Sequence, residues 1–252
     1  MWSQKPGATW RRWQRYWEAL LGLVYPPVCQ VCRQEPAGPG RGYVGRRCCQ
    51  QVRWLRPPWC AKCGLPIPGE ATVPFECANC RELALHFRYA RAAVAADGVV
   101  LEVIHRYKYQ EALWFEPFLA RLLVRAAAGP VQREGWNAIV PVPLHPVRQR
   151  ERGFNQAHRL AQWLGRATGL PVESGWLERS KPTSTQTVLS RDERQRNVRE
   201  AFRVRRGAVV SGRRIILVDD VLTTGATTSA CALALRRAGA AEVCVWTVAR
   251  GL

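Results

Sequence analysis

One stretch constrains the fold of this chain more than any other: RRIILVDDVLTTGATTSACALALRRAG, from Arg213 to Gly239. Ile215 to Val218 is an unbroken run of branched apolar residues, the pattern of a parallel strand buried on both faces. Two adjacent carboxylates, Asp219 and Asp220, follow it, then a small hydroxyl-rich loop. Ala/Leu-rich helical spacing then runs from Thr228 to Ala238 and stops at Gly239. Strand, turn and helix in that order put the loop at a helix N-terminus, where unpaired backbone N–H groups and the positive end of the helix dipole attract an anion. Thr223, Thr224 and Thr227 add hydroxyl donors, and Gly225 beside Ala226 lets the backbone wrap closely, so the loop can enclose a phosphate monoester. Ligands of open α/β sheets bind at the carboxyl ends of strands, and paired carboxylates there suit the vicinal hydroxyls of a ribose. The ligand class this implies is a sugar phosphate.

The string ILVDDVLTTGAT resembles the binding motif for phosphoribosyl diphosphate (PRPP) in type I phosphoribosyltransferases. The chain around it has 252 residues and 47% apolar content, enough for one sizeable core plus a small module, and excludes a disordered protein. A net charge of +19 suits polyanionic partners such as nucleic acid or an anionic membrane face. Only Lys5, Lys62, Lys108 and Lys181 are lysine, so a coding bias toward arginine accounts for the charge as well as binding does. No apolar run approaches the ~20 residues that span a bilayer.

Ahead of the motif lie three other segments. In residues 1–27, Trp10, Trp13, Trp17, Leu20, Leu21 and Val24 recur at helical spacing opposite Arg11, Arg12 and Arg15, an amphipathic helix that either packs on its own domain or lies on a membrane surface. Residues 28–84 hold eight of the ten cysteines. Cys60, Cys63, Cys77 and Cys80 form two C-x2-C pairs, the spacing of a tetrahedral zinc ribbon. A second set, Cys29, Cys32, Cys48 and Cys49, is irregular, with Gln51 where a regular knuckle needs cysteine. It is a distorted zinc site, a three-thiolate site completed elsewhere, or a degenerate one. The absence of a secretory signal places these thiols in a reducing cytoplasm and argues against disulfides. Zinc, one ion or two, would be structural.

The third segment, from residue 85 onward, opens with a strand at Phe87 to Ala96. Helical spacing from Val99 to Ala128, interrupted near Tyr109 and Pro117, should then end at Gly129 and Pro130. A buried strand, Asn137 to Leu144, precedes a basic loop with His145, Arg148, Arg150 and Arg152, and a helix follows from Ala157 to Thr168. Arginine forks match diphosphate oxygens, so this loop is the candidate pyrophosphate site facing the phosphate cradle. Between 171 and 206 lies a polar, basic connection flanked by strand-like Val172 to Leu177 and Ala201 to Val204, long enough to be a lid.

Taken together, the cysteine pairs, VPVPL, RGFNQAHRLA, the Arg179, Thr183, Gln186, Leu189 series with Arg194 and Asn197, and ILVDDVLTTGAT resemble the ComF family, including its GntX-like members. The resemblance spans roughly residues 25–250. It implies an α/β type I phosphoribosyltransferase fold, mostly parallel, over residues 85–252, preceded by a double zinc ribbon. It makes residues 171–206 a hood whose Lys181, Gln186 and Arg194 reach substrate or diphosphate. It further implies PRPP with Mg2+, a catalytic role for Asp219 and Asp220, and a link to uptake of single-stranded DNA in natural competence. A non-enzymatic module that senses PRPP or another anion, while its zinc ribbon and basic surface recruit single-stranded DNA or a DNA-handling ATPase, is the alternative it leaves open.

Overall fold

The computed structural model describes residues 27–67, 69, 75–179 and 201–252. The N-terminal helix expected over 1–27 and the hood residues Lys181, Gln186 and Arg194 lie outside them, Tyr25 and Pro26 included and Pro27 excepted.

Four parallel strands make the central sheet, in the order β1 (Ala90–Ala95), β6 (Glu242–Arg250), β5 (Arg214–Leu222), β2 (Ala138–Pro141). Because side chains alternate across a strand, each central strand supplies both cores. Ile216, Val218, Cys244, Trp246 and Val248 enter one apolar cluster, and Ile215, Leu217, Val243 and Val245 the other. The first cluster is covered by α4 (Glu116–Glu134) and α6 (Gln156–Thr168), the second by α7 (Ala226–Arg237) and the antiparallel hairpin of β3 (Leu177–Arg179) and β4 (Phe202–Val204). Burial on both faces explains why β5 reads as a continuous apolar run. It also explains β6, to which the sequence reading assigns no strand: an uninterrupted apolar segment carries no period of two to identify it.

Two boundaries differ from expectation. α4 runs through Gly129 and Pro130 and ends at Gly135, which adopts φ 68°. Proline removes one i→i−4 bond, yet Val131 beyond it is 1% exposed and Ala127 before it fully buried, so tertiary packing carries the helix past the break. β5 extends to Leu222, which puts Asp219 and Asp220 inside the strand and not after it.

The cysteine-rich segment packs directly on this sheet. Leu55 N–H donates to Ala93 O and Ala95 N–H to Arg53 O, and Ala90 N–H donates to Lys62 O, so its backbone covers the otherwise free edge of β1. Within it, α1 (Arg46–Gln50) and α2 (Ala78–Glu82) carry the second cysteines of each set. α3 (Gly98–Tyr109) follows β1, and α5 (Pro146–Arg152) replaces the basic loop expected there.

Candidate functional site

The carboxyl ends of β2 and β5 open into a cavity of about 520 Å3 lined by Lys108, Tyr109, Arg148, Arg152, Asn155, Arg179, Asp219, Asp220, Thr223 and Thr227, among others. Six of these come from the sequence reading's basic loop, strand end and threonine loop brought together in space: Arg148, Arg152, Asp219, Asp220, Thr223 and Thr227, with Arg152 over the Tyr109 ring at 4.9 Å.

The two aspartates are unequal. Asp220 is 6% exposed and its Oδ2 lies 2.8 Å from Lys108 Nζ, a pairing that compensates its burial. Asp219 keeps part of its surface in water and accepts the Asp220 N–H at 2.9 Å. Burial, and then the adjacent Asp220 carboxylate, push Asp219 up to about 7 against the pull of Lys108. This is a carboxylate in want of a hydroxyl donor or a cation, the condition of a functional acid more than of a structural one.

Below them, Gly225 takes φ 81° as the N-cap of α7, a left-handed turn that other residues enter only with strain. Thr224 Oγ1 accepts the Ala226 N–H at 3.3 Å, and Thr228 Oγ1 donates to Gly225 O at 3.1 Å. Thr224, Gly225 and Ala226 therefore build the turn, while Thr223 and Thr227 line the cavity wall. The N-cap itself, Gly225, has no side chain to bond the first turn of α7, so beyond the Ala226 N–H the helix dipole and the remaining N–H groups stay available to a bound anion.

The arginine segment is a helix and not a loop because His145 caps it, its Nδ1 accepting the Val147 N–H at 3.3 Å. That role leaves His145 outside the cavity lining, where the sequence reading grouped it with the diphosphate residues. Helical spacing puts Arg148 and Arg152, four apart, on one face toward the cavity, while Arg150 is exposed away from it. Asn155 then caps α6, accepting from Ala157 and His158 N–H and donating to Val142 O at 3.1 Å, which ties the helix start to the end of β2.

Two charged cavity residues escaped the sequence reading of the site. Lys108 ends α3; its signal was its identity, one of four lysines in a chain that otherwise uses arginine for positive charge. Arg179, at the end of β3, appeared only within the family pattern. The last turn of α3 is held by Glu116, whose carboxylate accepts from Tyr107 Oη at 3.2 Å, from Trp163 Nε1 at 2.8 Å and from Arg159.

The cysteines form two groups whose ligand atoms lie within 4.8 Å of one another. In one, Cys60 and Cys80 Sγ are 3.8 Å apart and Cys63 and Cys77 Sγ 3.7 Å. A tetrahedral zinc with ~2.3 Å bonds to sulfur needs edges of about 3.75 Å, so these four fit structural zinc; a disulfide needs ~2.05 Å. The other group is Cys29, Cys32, Cys48 and Glu35, and Cys49 is not in it. Its thiol points to Val44 O instead, at 3.7 Å, so of the arrangements the sequence leaves open this is three thiolates completed elsewhere, and Cys49 is corrected out of the candidate metal ligands: neighbours on a helix diverge by ~100° and do not face one centre.

The first zinc-ribbon pair touches the phosphate loop through Arg250. This residue is 6% exposed, and its Nη2 donates to Cys63 Sγ at 3.6 Å while Nη1 donates to Leu222 O at 3.0 Å and to Thr223 O. Ser229, on α7, donates to Ala84 O at 3.3 Å and accepts the His86 N–H at 3.1 Å. The chain leaving the cysteine module thus buttresses the base of the cradle.

Residues 20–81 match the family described as Double zinc ribbon domain. Competence protein F of Haemophilus influenzae (strain ATCC 51907 / DSM 11121 / KW20 / Rd) is 36% identical over 81% of this chain and 88% of its own length. The DNA utilization protein YhgH of Salmonella typhi is 33% identical over 91% of this chain and 100% of its own. Among solved structures, the allosteric regulatory enzyme of purine biosynthesis is 27% identical with a TM-score of 0.32, covering 49% of this chain and 25% of that one. No helix among the described residues is long and apolar enough to cross a membrane.

Proposed function

The chain belongs to the ComF family, and on that premise we propose that it binds PRPP, or a sugar phosphate of the same shape, in the cavity between β5 and α5, as part of DNA handling in natural competence. One observation carries the reading: Asp219, Asp220 and, beside the α7 N-terminus, Thr223 and Thr227 line the same cavity as Arg148, Arg152 and Arg179. The cradle suits a terminal phosphate, the carboxylates suit a ribose diol, and the arginines suit a diphosphate. When bound with the ligand, Mg2+ would neutralise diphosphate charge. The protein's own residues do the rest. Asp219 and Asp220 accept the ribose hydroxyls and favour the positive charge that builds at the anomeric carbon as diphosphate leaves, while Arg148 and Arg152 receive that diphosphate. The charge of +19 and the names of the relatives, a competence protein and a DNA utilization protein, support a partnership with DNA, which we take to be single-stranded DNA handled in the cytoplasm with a DNA-uptake ATPase.

Calorimetry tests the site: PRPP with Mg2+ should bind the parent and not the Asp219→Asn, Asp220→Asn double variant, and equal affinity in both would refute it. Release of pyrophosphate across a panel of bases distinguishes a transferase from a sensor. DNA binding that survives the aspartate changes and falls steeply with salt would separate the nucleic-acid surface from the sugar-phosphate site.

A further inference from the structure

We propose that Glu35, and not Cys49, is the fourth ligand of a zinc ion held by Cys29, Cys32 and Cys48, so that the chain carries one all-thiolate and one mixed three-thiolate, one-carboxylate zinc centre. Cys29 and Cys48 Sγ are 3.6 Å apart and Cys32 Sγ lies 3.8 Å from Glu35 Oε1, the same edges as in the regular site. With ~2.3 Å bonds to sulfur and ~2.0–2.2 Å to oxygen, one tetrahedral ion fits these four atoms.

The surroundings fix the carboxylate for that role. Arg47 N–H donates to Glu35 Oε2 at 2.9 Å and Cys48 N–H to Oε1 at 3.2 Å, while Gly45 N–H donates to Cys29 Sγ at 3.2 Å. These are the outer-shell bonds that orient ligands and spread their charge. Gly45 makes room for the arrangement: a Cβ there would stand 2.2 Å from Glu35 Cδ, although its φ of −74° demands no glycine. The small residue serves the approach of the Glu35 side chain and not the backbone. Cys49 cannot take the place without unwinding α1, because its Cα–Cβ bond leaves the helix ~100° from that of Cys48. Glu35 is three residues beyond Cys32, so the ligands read Cys-x2-Cys-x2-Glu before the helix brings Cys48. The irregular second knuckle is thereby completed from the first half of the site.

Zinc prefers thiolate to carboxylate, so the mixed centre should release its ion to a chelator before the four-cysteine centre does. The competing explanation is that Glu35 only caps α1. The experiment is metal analysis of the full chain after equilibration with a graded series of chelator, on the parent and on Glu35→Gln, Cys49→Ser and Cys48→Ser. Gln retains an oxygen to accept from one N–H but is a poor zinc ligand, so capping and ligation come apart. The parent should hold two zinc ions and lose them in two steps. Cys49→Ser should match it. Glu35→Gln should retain one ion at chelator levels where the parent keeps two, with at least about a hundred-fold weaker retention at the second site, beyond the 10–100-fold typical of outer-shell changes. Cobalt in place of zinc gives a second readout: thiolate-to-metal charge transfer in the parent should correspond to seven thiolates, four from one group and three from the other. Two ions held equally by the parent and Glu35→Gln would overturn the proposal, as would eight-thiolate intensity, loss of an ion in Cys49→Ser, or a single ion in the parent. Because the readout is metal content and absorption, failure of the PRPP reading would leave it untouched.

Discussion

Replacing Asp219 by asparagine should stabilise the protein above neutral pH, because the native chain holds Asp219 in a place that disfavours its charge. Burial and the Asp220 carboxylate raise Asp219 from 3.8 to about 7. Between those values the native chain keeps a proton that the unfolded chain has released, so stability falls as pH climbs through this window and levels off above it. A shift of ~3 units at 1.36 kcal/mol each sets a ceiling of about 4 kcal/mol. Asp219 keeps part of its surface in water, and solvent screening reduces the expected gain to about 2 kcal/mol. Asparagine preserves the acceptor for the Asp220 N–H, so the backbone at the strand end is undisturbed. Urea unfolding of parent and variant with zinc present, from pH 5 to pH 8.5, measures the difference while other titrations cancel. With an m value near ~3 kcal/mol/M, the variant's midpoint should exceed the parent's by about 0.7 M at pH 8 and approach it toward pH 5. A variant no more stable than the parent at pH 8, or a difference that does not change with pH, would refute the reasoning. The same substitution should weaken PRPP binding, the exchange of stability for function expected where like charges are kept together.

Lys108→Met leaves Asp220 without its cation, and the variant should lose about 1–3 kcal/mol at pH 8 and less near pH 5.5, where Asp219 holds its proton and does not repel its neighbour; a urea series at both pH values checks this. Arg250→Met removes the strut between Cys63 and the carbonyls of Leu222 and Thr223, so inorganic phosphate or PRPP should bind about tenfold more weakly by calorimetry. Stripping zinc from the Cys60, Cys63, Cys77, Cys80 group should have the same effect on anion binding in the parent, and restoring zinc should reverse it. Unchanged anion affinity after complete removal of metal would show that the strut is not needed.

Much of the fold was legible because its signals are local. The alternation-free run before Asp219, the Gly225 turn and the Ala/Leu spacing of α7 identify a strand, a cradle and a helix within one segment, and the C-x2-C pairs announce metal by spacing alone. Element ends were less legible where packing overrides propensity. α4 crosses Pro130 because the residues on either side are buried against the sheet, and the basic segment after Leu144 winds into a helix once His145 turns back to cap it.

The sequence by itself determined the chemistry at hand: two carboxylates and a hydroxyl loop after a buried strand, arginines after another, and cysteines in pairs. Only the tertiary structure decided which of these meet and what completes them. Lys108 reaches Asp220 across the chain, Glu35 replaces Cys49 beside three thiolates, and Arg250 ties Cys63 to the phosphate loop over 187 residues of sequence. Such contacts leave no periodic trace, because they depend on which elements become neighbours when the two faces of the sheet are covered, and a buried charge then requires a partner from whatever element lies beside it.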